Sequence, residues 1–554
     1  MKRGIKKNEI DFYNTDVLII GSGLAGLRAA LFAKKNGANV ILATKGGGAS
    51  PKIMGFSAPV GPEDSEEIFF NDIMKSGLNI NNKKLAMILV TDSLKVVREL
   101  EDLGIIFDRK EGKYDLLHAL GHTHPRVVHF KYFIGSKATR ILMNKAKSEN
   151  IQIVKDIMII SILIYEGNII GAFGINILNG NYVVFQSKAI VLAAGGCGRL
   201  YPFTSYPIDI SSDGYAMAYQ VNAEFIDMEF IQFEPCGFVY PSSLIGKTFP
   251  TTLLMLGGML KNSKGERFML RYDKELGEKV LKHELSRAMY REIKDGRATK
   301  HGGLYYDVSM LSEDVIIKNR SIAYKAAIKA GVDITKEPAE VAPIAQTSLG
   351  GIKINERCET SIKGLYAAGE VTGGIHGANR LGGNSGTEIL VFGARAGMYS
   401  AKYAITQDIK INKNDFNNVV KEKISEDELF KNKKDDYINP LIIKNKLHSI
   451  MREAGGILRN ENQLKNALKE LNRLEDMIPQ QFAENINQLI EVHENNNMIC
   501  TAKIIISAAL TRSESRGAHF REDFPHMDDE NWLKNIIIRH NRHGENEIVI
   551  KSIN

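Results

Sequence analysis

A short strand candidate, Asp16–Ile20, leads directly into Gly21-Ser22-Gly23-Leu24-Ala25-Gly26, and a helix-like Leu27–Asn36 and a second apolar run, Asn39–Ala43, follow. No other feature restricts the fold so tightly. G-x-G-x-x-G between a strand and a helix predicts a βαβ unit of a parallel sheet, with a tight glycine turn and a helix N-terminus placed to receive a pyrophosphate. The acidic residue that grips a ribose in such units belongs near the end of the second strand, where Ala43-Thr44-Lys45 stands instead. This stretch therefore predicts a dinucleotide without choosing between NAD and FAD.

The choice comes from later segments. Short β runs at Ile157–Ile164, Ile169–Leu178 and Tyr182–Gln186 are separated by turn signals, including the Asn179-Gly180 step of a hairpin. A further buried strand, Ala189–Ala194, then ends in Gly195-Gly196-Cys197-Gly198. A β meander inserted into a doubly wound sheet, with a strand returning to a second glycine turn, favours FAD. Residues Gly364 to Ser385 read GLYAAGEVTGGIHGANRLGGNS, a strand running into Gly369-Glu370 and a glycine loop whose backbone N–H groups can approach a ligand. Arg380 is the sole cation there and the natural anchor for a carboxylate. Gly46–Gly61 has the small-residue character of a loop along a cofactor, and Asp64–Glu101 is expected to be helical in two pieces. His118, His122, His124 and His129 are close in sequence, but Pro125 interrupts their spacing and no carboxylate joins them, so no metal is expected.

At 554 residues the chain has room for several units of roughly 150 residues. Residues 241–345 have mixed α/β character between two cofactor-facing stretches and are expected to form a lid. Glu388–Ala404 reads as a helix against the sheet, and 413–500 as a helical bundle. The net charge of +7 is dispersed, which predicts no nucleic-acid partner and suits small anionic substrates. Four separated cysteines without a CxxC predict a reducing compartment and no metal or iron–sulfur cluster on this chain. The basic N-terminus lacks the apolar core of a secretory signal, and no apolar run reaches the ~18 residues of a transmembrane span. A cytoplasmic protein, peripheral to a membrane only through a partner, is the expectation.

In chain order GSGLAG, PRVVHFKYFIG, LAAGGCG, SSDGYAMAY, DMEFIQFEPCG, NSKGERFM, LYAAGEV, HGANRLGGNS, ESRGAHFR and DDENWL closely resemble the flavoprotein subunits of succinate dehydrogenase, fumarate reductase and L-aspartate oxidase. The resemblance implies an α/β fold: a split Rossmann-type FAD-binding domain (14–240 and 346–408), an inserted α+β capping domain (241–345), a C-terminal helical domain (413–535) and a tail (536–554). It implies that Gly21, Ser22, Gly23 and Gly26 hold the pyrophosphate and that Asp213 and Glu370 bond the adenosine and ribitol parts. Lys45, Gly195, Gly196, Asn384 and Ser385 would complete the pocket, with Ala25, Gly48, Ala194, Gly369 and Arg380 against the cofactor. It also implies that the electron partner is an iron–sulfur protein subunit.

The substrate pocket departs from the family pattern. Members transfer hydride between the flavin and a carbon near a carboxylate, an Arg of the lid moves the proton, and two His, a Thr-Glu pair and a second Arg hold the dicarboxylate. Here only the second Arg remains, as Arg380. The His of Q-(Y/F)-H-P-T-G is Glu234, the His before the double glycine is Gln346, and the Thr-Glu pair falls near Pro250-Thr251 without a carboxylate. The proton-moving Arg aligns with Lys282, with His283 as its rival. A negative charge at Glu234 disfavours a second substrate carboxylate by several kcal/mol in order of magnitude. The expectation is thus a carboxylate-like small molecule other than fumarate or succinate. The alternatives are an L-aspartate-oxidase-like amino acid oxidase and an electron-transfer subunit with a vestigial pocket.

Respiratory members often attach FAD through the His of an S-H-T element, where this chain has Gly47-Gly48-Ala49. Non-covalent FAD is predicted: acid precipitation should release all flavin into the supernatant, and flavin retained on the polypeptide would refute it.

Overall fold

The computed structural model describes residues 9–119, 121–131, 134–249, 251–409, 411–432, 436–540 and 546–553. Its central layer is a five-stranded, all-parallel sheet ordered Leu365–Ala367, Ala189–Leu192, Val17–Ile20, Val40–Thr44, Gln152–Lys155. These strands are short and nearly all apolar because helices or the meander cover both faces. Helix Leu24–Lys35 starts three residues earlier than its apolar pattern suggests, inside the glycine motif, because Leu24, Ala25 and Leu27 are all buried. It packs on helix Asn384–Thr406, which extends beyond both ends of the expected Glu388–Ala404. Two helices, Glu66–Ser76 and Lys83–Asp102, occupy the segment expected to be helical in two pieces.

The meander pairs Ile157–Tyr165, Asn168–Asn176 and Tyr182–Gln186 antiparallel, and Ile10–Asn14 adds a parallel edge. A separate antiparallel sheet orders Ile231–Tyr240, Ala339–Ser348, Leu304–Asp307 and Met259–Lys261 over its own core of Phe238, Phe249, Leu260, Met289 and Tyr306. Of the two paired ten-residue strands, Ala339–Ser348 runs straight through the boundary expected at 345/346, while Ile231–Tyr240 ends at the one expected at 240/241. The inserted layer thus grows out of the cofactor domain on a paired ribbon.

The C-terminal region carries helices Lys413–Glu428, Pro440–Glu453, Glu461–Asp476 and Ile486–Thr511. Beyond them the expected tail is instead a hairpin, Lys534–His540 with Asn546–Ser552, whose first strand pairs with Phe225–Ile226. Three consecutive β-branched residues, Ile536, Ile537 and Ile538, favour that strand and are buried in it.

At the junction of these parts lies a buried charge cluster. Arg512, fully buried, donates to Glu229, to Glu514 at 3.0 Å and to Asp227 at 3.4 Å, while Arg516 donates to Glu514 at 2.7 Å. Burial and then Glu229 push the Asp227 carboxyl up to about 7 against the pull of Arg512. Removing one member of such a cluster strands its counter-charges, at a cost of about 3–5 kcal/mol. Arg512→Met should therefore lower the thermal unfolding midpoint by several degrees; an unchanged midpoint would show that the cluster does not hold these parts together.

Candidate active site

The crevice at the carboxyl ends of the parallel strands is where a doubly wound sheet takes its ligand. Here it is a cleft of about 940 Å³, partly open to solvent, walled by Gly21, Ser22, Gly23 and Ala25, by Lys45 and Gly48, by Ala194 and Gly195, by Asp213, and by Gly369, Glu370 and Ser385. Twelve of the sequence-predicted cofactor residues thus converge from five separate stretches of chain. Gly26, Gly196, Asn384 and Arg380 do not line it. Gly26 allows close packing: a Cβ there would sit 1.9 Å from the Gly21 carbonyl. Gly196 backs the Glu370 side chain in the same way.

The residues fit a bound dinucleotide. Gly21 has φ +112°, and a side chain there would meet the Ala193 carbonyl at 2.2 Å, so bare backbone faces the cleft. Asn384, beside Ser385, keeps a buried Oδ1 without a partner among the described residues. Ser50, Asp209, Tyr206, Thr347 and Ser348 were not foreseen. Ser50 Oγ accepts the Leu24 N–H at 2.9 Å, and Asp209, a cleft-wall residue, accepts the Gly48 N–H at 2.8 Å. Tyr206 donates to Glu370 Oε1, which also accepts from Thr347 Oγ1 and the Ser348 N–H, both at 2.9 Å. The small-residue run Gly46–Gly61 pointed to Ser50, and the cofactor-facing stretch Pro343–Gly351 to Thr347 and Ser348; nothing local pointed to Tyr206 or Asp209.

Beyond the cleft, three residues of the altered pocket, Glu234, Lys282 and Gln346, come together. Glu234 is buried, and both its oxygens accept from Lys282 Nζ, at 3.2 and 2.9 Å; Gln346 Nε2 donates to Oε2 at 2.9 Å. Glu234 is therefore half of a neutral ion pair. Gln232, two residues earlier, donates to the Arg380 carbonyl at 3.3 Å and to Asn379 Oδ1 at 2.9 Å, tying this strand to the glycine loop. Arg380 is partly buried; its Nη1 donates to the Leu381 carbonyl at 3.2 Å, and its enclosed Nε has no partner among the described residues. Burial lowers its pKa, opposed by the carboxylates of Glu370, Glu234 and Glu388. His283 does not join the trio; burial and then Arg287 push it down to about 4. Thr251 carries no carboxylate, and Pro250 lies outside the described residues.

The histidine-rich loop makes local bonds. His118 Nε2 meets the His122 carbonyl at 2.7 Å, His122 Nε2 meets the Gly382 carbonyl at 2.8 Å, and His129 pairs with Asp108 at 3.1 Å. Among the described residues no group of three or more His, Cys, Asp or Glu is placed to hold a metal ion, and no helix is long and apolar enough to cross a membrane.

Residues 16–385 match the FAD binding domain family, and residues 444–554 match the family described as fumarate reductase flavoprotein C-term. The chain belongs to the fumarate reductase, succinate dehydrogenase and L-aspartate oxidase flavoprotein family. This flavoprotein is 38% identical over 546 residues to one of the subunits of the fumarate reductase (CoM/CoB) of Methanothermobacter marburgensis, covering 96% of this chain and 98% of the relative. It is 32% identical to the chloroplastic L-aspartate oxidase of Oryza sativa, covering 94% of this chain and 83% of that one. The solved structure of Mycobacterium smegmatis Sdh1 in complex with UQ1 superposes with a TM-score of 0.90 at 31% identity, covering 98% of this chain and 95% of that one. The flavoprotein is an FAD-dependent oxidoreductase, with the split FAD-binding, capping and C-terminal helical architecture expected from its motifs.

Next to Arg380 the helix residue Glu388 is buried, and its carboxyl is pushed up to about 8 by burial, with Glu370 adding and Arg380 opposing. In the unfolded chain its value is 4.5. Between these values the folded state binds the extra proton, so this group's stabilising contribution is full below about 4.5 and is lost as pH rises through about 8. Glu388→Gln should flatten the fall of the thermal midpoint between about pH 5 and 8; an unchanged slope would count against this burial account.

Proposed function

We propose that this flavoprotein reduces or oxidises a C–C bond alpha–beta to a carboxylate, in a substrate with one carboxylate and a neutral or cationic group at its other end. The carrying observation is the pairing of an Arg380 guanidinium whose Nε has no partner among the described residues with a Glu234 already neutralised by Lys282. Bound FAD supplies the two-electron chemistry. Arg380 binds the carboxylate through its planar fork and fixes the substrate's orientation. Lys282, whose side chain is 46% exposed, holds a proton at Nζ against Glu234 and can regain one from solvent. Glu234 and Gln346 face the other end. Their pair with Lys282 offers no uncompensated cation to a second carboxylate, whereas an amide N–H or an ammonium can donate to Glu234.

In this reading electrons pass between the flavin and an iron–sulfur partner subunit, because the cysteines of this chain lie apart and the Methanothermobacter relative is named as one subunit of its enzyme. That relative's name makes fumarate the rival substrate. The test is to reduce the purified protein anaerobically and follow flavin reoxidation by fumarate, by crotonate-like monoacids and by enoates ending in an amide or a cation. The amide or cationic enoates should react about tenfold or more faster than fumarate, and Arg380→Ala should slow them by about a hundredfold. Fumarate as the fastest oxidant would overturn the specificity assigned to Glu234. Turnover indifferent to Arg380→Ala would instead indicate a vestigial pocket, and peroxide formed from an amino acid in air would indicate an oxidase.

A further inference from the structure

The missing acid at the end of the second strand of the βαβ unit has a structural answer. Lys45 occupies that place and turns its ammonium to Asp213 Oδ2 at 3.1 Å, to Ser211 Oγ at 2.7 Å and to Glu494 Oε1 at 2.7 Å. Asp213, in the first turn of helix Asp213–Gln220, is therefore brought to the strand end where a ribose is gripped in this kind of unit. Its Oδ1 accepts from Ser211 Oγ and from Asn497 Nδ2, both at 2.9 Å. A carboxylate has about four acceptor sites. Lys45, Ser211 and Asn497 take three, which leaves about one free on a residue that lines the cleft.

Two members of this bracket come from far along the chain. Glu494 and Asn497 lie three residues apart on helix Ile486–Thr511, hence on one face of it, and that helix packs against Asp213–Gln220. Glu494 is itself held from the other side, with Lys444 Nζ at 3.9 Å from its second oxygen. The side chains of Lys45, Asp213 and Glu494 are 12%, 12% and 14% exposed, so water competes little for these bonds.

We propose that Glu494 and Asn497 are positioning residues of the cofactor site: through Lys45 and Asp213 they fix the carboxylate that grips the adenosine ribose of FAD. The C-terminal helical region thereby completes a site whose direct contacts all lie in the FAD-binding domain. The proposal rests on the reading that Asp213 faces the adenosine half of the cofactor.

The experiment titrates the flavin-free full-length protein with FAD and with FMN, which lacks the adenosine half, and measures the flavin midpoint potential of each FAD-loaded variant. Glu494→Ala and Asn497→Ala should each raise the Kd for FAD about tenfold, the scale of one lost charge-assisted hydrogen bond. The Kd for FMN and the midpoint potential should stay at wild-type values, and Glu494→Gln, which can still accept from Lys45, should recover most of the affinity. Equal losses for FAD and FMN would reduce the bracket to a general packing role and overturn the proposal. So would an unchanged Kd for FAD. Asp213→Ala, measured alongside, separates the two levels: if it leaves the Kd for FAD unchanged, the ribose assignment itself fails, whereas if it alone weakens FAD, only the bracket fails.

Discussion

The structure depends on two backbone contacts that tolerate no side chain. Gly21 runs against the Ala193 carbonyl of the neighbouring strand turn, and Gly26 runs against the Gly21 carbonyl. The first contact brings the glycine turn beside the returning strand, and the second lets helix Leu24–Lys35 press onto its own turn. Together they set the width of the crevice at the sheet's carboxyl end. Everything that reaches this crevice from distant sequence, including Lys45, Asp213, Glu370 and Ser385, is placed relative to that spacing.

The parts of the fold legible in the sequence are those whose signal is local. The βαβ unit, the meander with its Asn179-Gly180 turn and the glycine loop before Ser385 each declare themselves within about twenty residues. Where the structure departs from the sequence reading, the deciding force is not local. Helix Leu24–Lys35 begins inside the glycine motif because Leu24 and Ala25 are buried, which composition alone does not show. The second lid boundary falls within a long strand because Ala339–Ser348 pairs with Ile231–Tyr240, about a hundred residues earlier. The final hairpin was legible in principle from Ile536-Ile537-Ile538, but its partner, Phe225–Ile226, is remote.

The candidate site shows the same division. The glycines and Arg380 are recognisable as residue types in a pattern, whereas the state of Glu234 is not. Its ion-pair partner lies 48 residues away and its amide partner 112 residues away. A sequence gives Glu234 a full negative charge, and the structure reduces that charge to half of a neutral pair. Under the proposed specificity, this changes the physical ground on which a dicarboxylate is disfavoured. Direct repulsion is weakened by Lys282, and what disfavours the second carboxylate is the lack of an uncompensated cation to receive it.

Under the proposed function, that shift also gives separate tasks to residues of one pocket. An ammonium bonded to a buried carboxylate is held in a fixed direction while its remaining donors stay available, and Lys282 keeps nearly half of its side chain in contact with solvent. It can pass a proton inward and be recharged from outside without an internal relay. Arg380, by contrast, sits among three carboxylates, and its enclosed Nε faces no described partner, which suits binding rather than proton traffic because a guanidinium keeps its protons in proteins. Glu234 completes the division: it cannot give up Lys282 without leaving a buried charge unpaired, so a substrate group that donates to Glu234 must add to that pair rather than replace it.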